Sequence, residues 1–180
     1  KLMLKNKWLY SAVLVIIFPI FLFINIQNNT SFNSENQTNL DNVSNEEMEE
    51  VIALNPNVMG MRIALANRYF EEFEYSKALI HYMYVAQNSN EVENKSYSLA
   101  QIGWMVYESG DEQTALNYLN QSLLLTPESL LSQTYIGIIK IQNQDTRSEG
   151  VEILNYLLKN FEITDEDKDI IVEILSVYEN

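Results

Sequence analysis

Residues 64–79 read ALANRYFEEFEYSKAL, and residues 101–116, displaced by 37 positions, read QIGWMVYESGDEQTAL. In both stretches apolar side chains recur at spacings of three and four, the period of one face of a helix, and a short polar break divides each into two helical runs. Small residues stand at matched places: Ala66 and Gly103 before the break, Ala78 and Ala115 after it. Missing bulk at facing positions lets two helices approach closely while Leu65, Ile102, Leu79 and Leu116 fill the space beside them. The pattern predicts antiparallel helix pairs, and a large residue at a small position should split its pair.

Helical periodicity continues from Glu46 to the C-terminus, as in Leu116, Leu119, Leu123 and Leu124. Breaks are expected at Phe73-Glu74, Gly110-Asp111, Thr126-Pro127, Asn143 to Thr146 and Asn160 to Thr164. A third, weaker pair places Gly137 in its first helix and Gly150 in its second, with Gln142 where the other copies have an aromatic before the turn. The last segment carries a capping signature at Thr164 and Asp167, then one apolar stripe of Ile170, Ile171, Ile174, Leu175 and Tyr178.

This arrangement resembles the tetratricopeptide repeat (TPR), whose period is about 34 residues with small residues where helices touch, an aromatic before the turn and a closing proline. Pro127 closes the second copy, and the longer first link implies a short insertion within Asn90 to Lys95. The resemblance covers residues 57–160 and implies an all-α fold: a short TPR superhelix over residues 46–163, with residues 164–180 as a capping helix. In that family the first helices line a concave groove for peptides or proteins. Carried over by alignment, the groove would present Ile63, Asn67 and Phe70, then Tyr97, Trp104 and Tyr107, with Tyr135 extending it. Large rings favour binding hot spots, although Phe70 and Tyr107 would serve equally as core. Trp104 is expected to be exposed in the groove. Only Asn67 fits the carboxylate-clamping subset, because Ile63 stands where a lysine is needed.

The N-terminal part is of another kind. Residues 8–26, WLYSAVLVIIFPIFLFINI, hold no charge, and as a helix 19 residues would span roughly 28 Å of hydrocarbon. Trp8 and Tyr10 suit the headgroup level, and Lys1, Lys5 and Lys7 mark residues 1–7 as a cytoplasmic flank, leaving the repeats on the extracytoplasmic or periplasmic side. Pro19 is tolerable in a membrane helix. A cleavable signal peptide is the competing reading, but no small-residue cleavage site follows, and without cysteine no lipoprotein anchor forms. The chain opens on Lys1, as expected of a fragment lacking some cytoplasmic residues. Residues 27–45 are mostly Asn, Ser, Thr and Gln and are expected to form a flexible tether. Its Asn-x-Ser/Thr triplets at Asn28, Asn29, Asn36 and Asn42 are read as products of composition rather than glycosylation sites.

Composition excludes several functions. Beyond residue 26 stand 8 basic and 25 acidic residues, a balance of −17 that repels nucleic acid. Absence of cysteine removes disulfides, thiolate metal sites and redox motifs. His81 is the single histidine, so no catalytic triad or histidine-rich metal site can be assembled, and it is read as a surface residue. The acidic runs at Glu46 to Glu50, Glu71 to Glu74 and Asp165 to Asp169 suit polar faces and helix starts. No cofactor, metal or enzymatic activity is expected.

The order of lysine flank, apolar helix, polar tether and acidic repeats, with NPNVMGMRIALANRYFE and AQIGWMVYESGDEQTAL, resembles the membrane-anchored TPR subunit of bacterial cytochrome c maturation systems. That resemblance implies a holdase for unfolded apocytochrome c at the outer membrane face. A scaffold or regulator of an envelope complex that binds folded partners is the alternative.

Overall fold

A computed structural model describes residues 40 and 42–178. Most of them lie in eight α-helices: α1 (Asn45–Leu54), α2 (Met59–Glu71), α3 (Tyr75–Asn88), α4 (Val92–Glu108), α5 (Glu112–Leu125), α6 (Leu130–Gln142), α7 (Arg147–Asn160) and α8 (Asp165–Tyr178). Turns of only three or four residues join them, so consecutive helices fold back on one another. No described residue lies in a strand. The expected breaks fall between helices, except that Asn160 is the last residue of α7.

Helix starts are set locally. Ser44 Oγ accepts from the Glu47 N–H while the Glu47 carboxylate accepts from the Ser44 N–H, a complete capping box for α1. Asp111 accepts from the Thr114 N–H and Ser129 from the Ser132 N–H, single side-chain caps for α5 and α6. Thr164 accepts from the Asp167 N–H and donates to its carboxylate, opening α8.

Three helix pairs, α2 with α3, α4 with α5 and α6 with α7, make the stack, and their closeness depends on the small residues. Ala66, Ala78 and Ala115 are wholly buried. A Cβ on Gly103 would lie 2.9 Å from Leu119 Cγ and 3.1 Å from the Ala115 carbonyl. One on Gly137 would meet Leu154 at 2.7 Å, and one on Gly150 would meet the Ile141 backbone nitrogen at 2.3 Å and the Gly137 carbonyl at 2.7 Å. The third pair, weakest in sequence, thus has the closest backbone approach. Helix α8 closes the far end with Ile171, Ile174 and Leu175 buried.

The extra residues of the first link lengthen α4, which has 17 residues against 13 in α2 and α6. The segment read as tether through residue 45 is held at its end, because Arg68 Nη1 donates to the Val43 carbonyl and Nη2 to the Leu40 carbonyl, each at 2.5 Å. Leu40 and Val43 also pack against the core. The apolar segment at 8–26 and residues 1–7, read as a cytoplasmic flank, lie outside the described residues, and no described helix is long and apolar enough to cross a membrane.

Candidate functional site

The first helices α2, α4 and α6 meet through a buried row of polar groups. Asn67 Oδ1 accepts from the Tyr82 hydroxyl at 2.5 Å and the Tyr97 hydroxyl at 3.1 Å. Tyr97 in turn accepts from Gln101 Nε2 at 3.0 Å, and Gln101 Oε1 accepts from Tyr135 at 3.2 Å. Burial pushes the phenols of Tyr82, Tyr97 and Tyr135 far above their ordinary range, so each stays a neutral donor. Trp104 stacks on Tyr135 at 4.6 Å between ring centroids and leans on Tyr107 at 5.4 Å.

This packing revises the expected groove. Ile63, Asn67, Phe70, Trp104 and Tyr135 are between 0% and 5% exposed, so they form the wall between repeats rather than a surface. Trp104, expected to face the groove, is completely buried because Tyr135 of the next repeat covers it. Only Tyr97 and Tyr107 remain partly accessible.

Among the exposed apolar side chains, Phe73 stands at the turn end of α2, whose counterpart is the turn end of α4. The two turns share one hydrogen-bond pattern: Phe73 N–H to the Phe70 carbonyl and Glu74 N–H to the Tyr69 carbonyl are repeated by Gly110 to Tyr107 and Asp111 to Val106. Such a closure needs a left-handed residue, a role that glycine fills without steric penalty. Gly110 has φ 95°, but its counterpart is Phe73 at φ 60°, the one non-glycine residue with positive φ among those described. A bulky side chain there costs about 1–3 kcal/mol. Its ring is not recovering that by burial, since Phe73 is 55% exposed.

Around Phe73 the aromatic surface is continuous. Its ring meets Tyr75 edge-on at 6.1 Å, and Tyr75 packs on Phe70 at 5.3 Å. Burial, with the Glu108 charge nearby, raises the Tyr75 phenol, which places the end of α4 beside the start of α3. Tyr107 is pushed up to about 12, mainly by burial and then by Glu112 and Glu108. Burial also raises the carboxyls of Glu71 and Glu108, which occupy matched positions 37 apart. Among the described residues neither forms an ion pair. Phe73 and Glu71 were read from sequence only as part of a break and an acidic run, and Tyr75 and Glu108 were not named as site residues. The available signal was the alignment of a phenylalanine with a turn glycine.

No group of His, Cys, Asp and Glu suited to a metal occurs among the described residues. No protein-family model matches the chain, and no solved structure matches it. Over 80 residues, 44% of its length, the chain is 34% identical to the Photosystem I assembly protein Ycf3 of Rippkaea orientalis, and it spans 46% of that protein. Helix pairs offset by 37 residues, small residues at their contacts and this similarity together define a TPR-like helical repeat protein.

Proposed function

We propose that this chain is a non-catalytic assembly factor that holds a protein partner on the aromatic rim formed by Phe73, Tyr75 and Tyr107, between the carboxylates of Glu71 and Glu108. The observation that carries this reading is Phe73 itself. A large apolar side chain is kept in a backbone conformation that repeat 2 assigns to glycine, and more than half of it is given to solvent. Folding regains only an edge contact with Tyr75 and partial burial of the ring, whereas a partner pocket would gain an anchor near the centre of a contact. Tyr97, nearly three turns back along α4, supplies a further partly exposed ring, while the buried Asn67, Trp104 and Tyr135 hold the repeats in register beneath. The unpaired carboxylates favour a partner segment carrying lysine or arginine.

The similarity to a photosystem assembly protein supports the assembly role without naming the partner. An apocytochrome c segment is the finer form of the reading, favoured by a sequence without cysteine, as suits a holdase that performs no thiol exchange. An anchor at residues 8–26, with the repeats outside the membrane, belongs to the same proposal. The alternative is a scaffold for folded envelope proteins. An unfolded peptide bearing a haem-attachment motif separates the two: the holdase binds it and loses affinity in Phe73→Ala, whereas the scaffold ignores it. Binding unaffected by Phe73→Ala would remove the proposed surface.

A further inference from the structure

His81, expected at the surface, is 4% exposed and sits where α1, α2 and α3 meet. Its Nε2 lies 3.1 Å from Glu49 Oε1 on α1, and its Nδ1 lies 3.5 Å from Arg62 Nη1 on α2. A guanidinium only donates, so Nδ1 must accept and the ring proton sits on Nε2, donated to Glu49. The neutral imidazole thereby bridges a cation and an anion from two other helices. Arg62 is fixed in place: its Nε donates to the Pro56 carbonyl at 2.6 Å, and its guanidinium lies 3.7 Å from the Tyr84 ring centroid. Tyr69 donates to the same Glu49 oxygen at 3.2 Å and stacks beside the imidazole. The rest of the α1 contact is the burial of Met48 and Ile52 and, at the start of the helix, Asn45, which accepts from Arg68 and donates to Glu72.

We propose that His81 is a pH-sensitive latch for α1: the neutral ring holds this helix on the end of the stack, and protonation releases it. A proton on Nδ1 removes the acceptor that Arg62 uses and sets two cations together in a site nearly closed to water. The groups facing the ring are Glu49 from α1 and Arg62 and Tyr69 from α2; behind them stand Glu46, Glu72 and Lys77 around Tyr69, and Tyr84 against Arg62. Burial first, and Arg62 after it, hold the ring below its ordinary range, while Glu49 pulls the other way. Glu49 is 44% exposed at its side chain, so solvent weakens that pull. With the docked ring harder to protonate, docking is favoured above about pH 6.5 and lost as pH falls below it. Because the outermost layer of a repeat stack acts as its cap, release of α1 uncaps repeat 1.

The chain has no cysteine, so spin labels at Glu50→Cys and Gln121→Cys in the full chain report the α1 position without background. One narrow distance population is expected at pH 7.5, with a second, broader one growing as pH falls to 5. His81→Gln, which can donate to Glu49 and accept from Arg62 but cannot charge, should keep the narrow population throughout. Distances unchanged in the native sequence between pH 7.5 and 5, or the same change in His81→Gln, would overturn the latch. Should that variant fail to fold, the NMR titration of this single histidine decides: a neutral Nε2–H tautomer with a midpoint below 6.5 supports the latch, and a midpoint at or above 6.5 overturns it.

Discussion

Replacing Gly150 with alanine adds one methyl group at the narrowest place in the molecule. Its carbon would sit 2.3 Å from the Ile141 nitrogen, 2.7 Å from Ile141 Cα and 2.7 Å from the Gly137 carbonyl. All three neighbours are backbone, so no rotamer change relieves the clash, and α7 must withdraw from α6 by about 1 Å to restore ordinary contact distances. That withdrawal loosens Leu154 and Leu157, both completely buried. Alanine returns about 1 kcal/mol of helix propensity, but overpacking against fixed atoms costs about 1–3 kcal/mol and occasionally more. A net loss of up to about 2 kcal/mol is expected, or up to about 8 °C in melting temperature for a chain of this size. Urea denaturation followed by circular dichroism measures it. Gly60→Ala is the control, since a Cβ there meets nothing within 4 Å and the change should be neutral or stabilise by up to about 1 kcal/mol. If Gly150→Ala were as stable as Gly60→Ala, the close approach of α6 and α7 would be refuted.

Other outcomes follow from the same packing. Leu119→Ala opens a void against Gly103 and should cost about 2–5 kcal/mol in denaturant unfolding. Tyr97→Phe removes one donor to Asn67 and the acceptor of Gln101, leaving a buried amide N–H unpartnered; a loss of about 1–3 kcal/mol is expected from the same measurement. The neutral His81 contributes stability that is present above about pH 6.5 and lost as pH falls below it, since burial holds its folded pKa down. The melting temperature of the native chain relative to His81→Gln should therefore decline from pH 7.5 to pH 5 in a calorimetric series.

The helical part was legible because its signals are local and repeated. Matched small residues 37 apart, a three-and-four apolar period and polar breaks define the pairs, and even the faint third copy was marked by Gly137 and Gly150. What sequence reasoning missed depends on which side a neighbour covers. Trp104 occupies a groove position by alignment, yet Tyr135 of the following repeat stacks over it. His81 looked like a lone polar residue, and its burial depends on Glu49 and Arg62, 32 and 19 positions away. Serines 96, 122 and 132 likewise appear as scattered polar residues but join α4, α5 and α6, with Oγ atoms 2.8 and 2.7 Å apart. The strain at Phe73 was visible only once both turns could be overlaid.

The docking role of Phe73 is tested most directly by comparing stability and binding in Phe73→Asn, because asparagine tolerates the left-handed conformation. Site-specific photo-crosslinking from position 73 in the full chain, in its own cells, first identifies the bound protein. Its affinity is then measured for both forms by calorimetric titration. A surface anchor predicts folding stability within about 1 kcal/mol of the parent and affinity reduced by about 30-fold, as for a hot-spot residue. Unchanged affinity, or no adduct at position 73 while Leu124 on the remote end of α5 gives one, would contradict it.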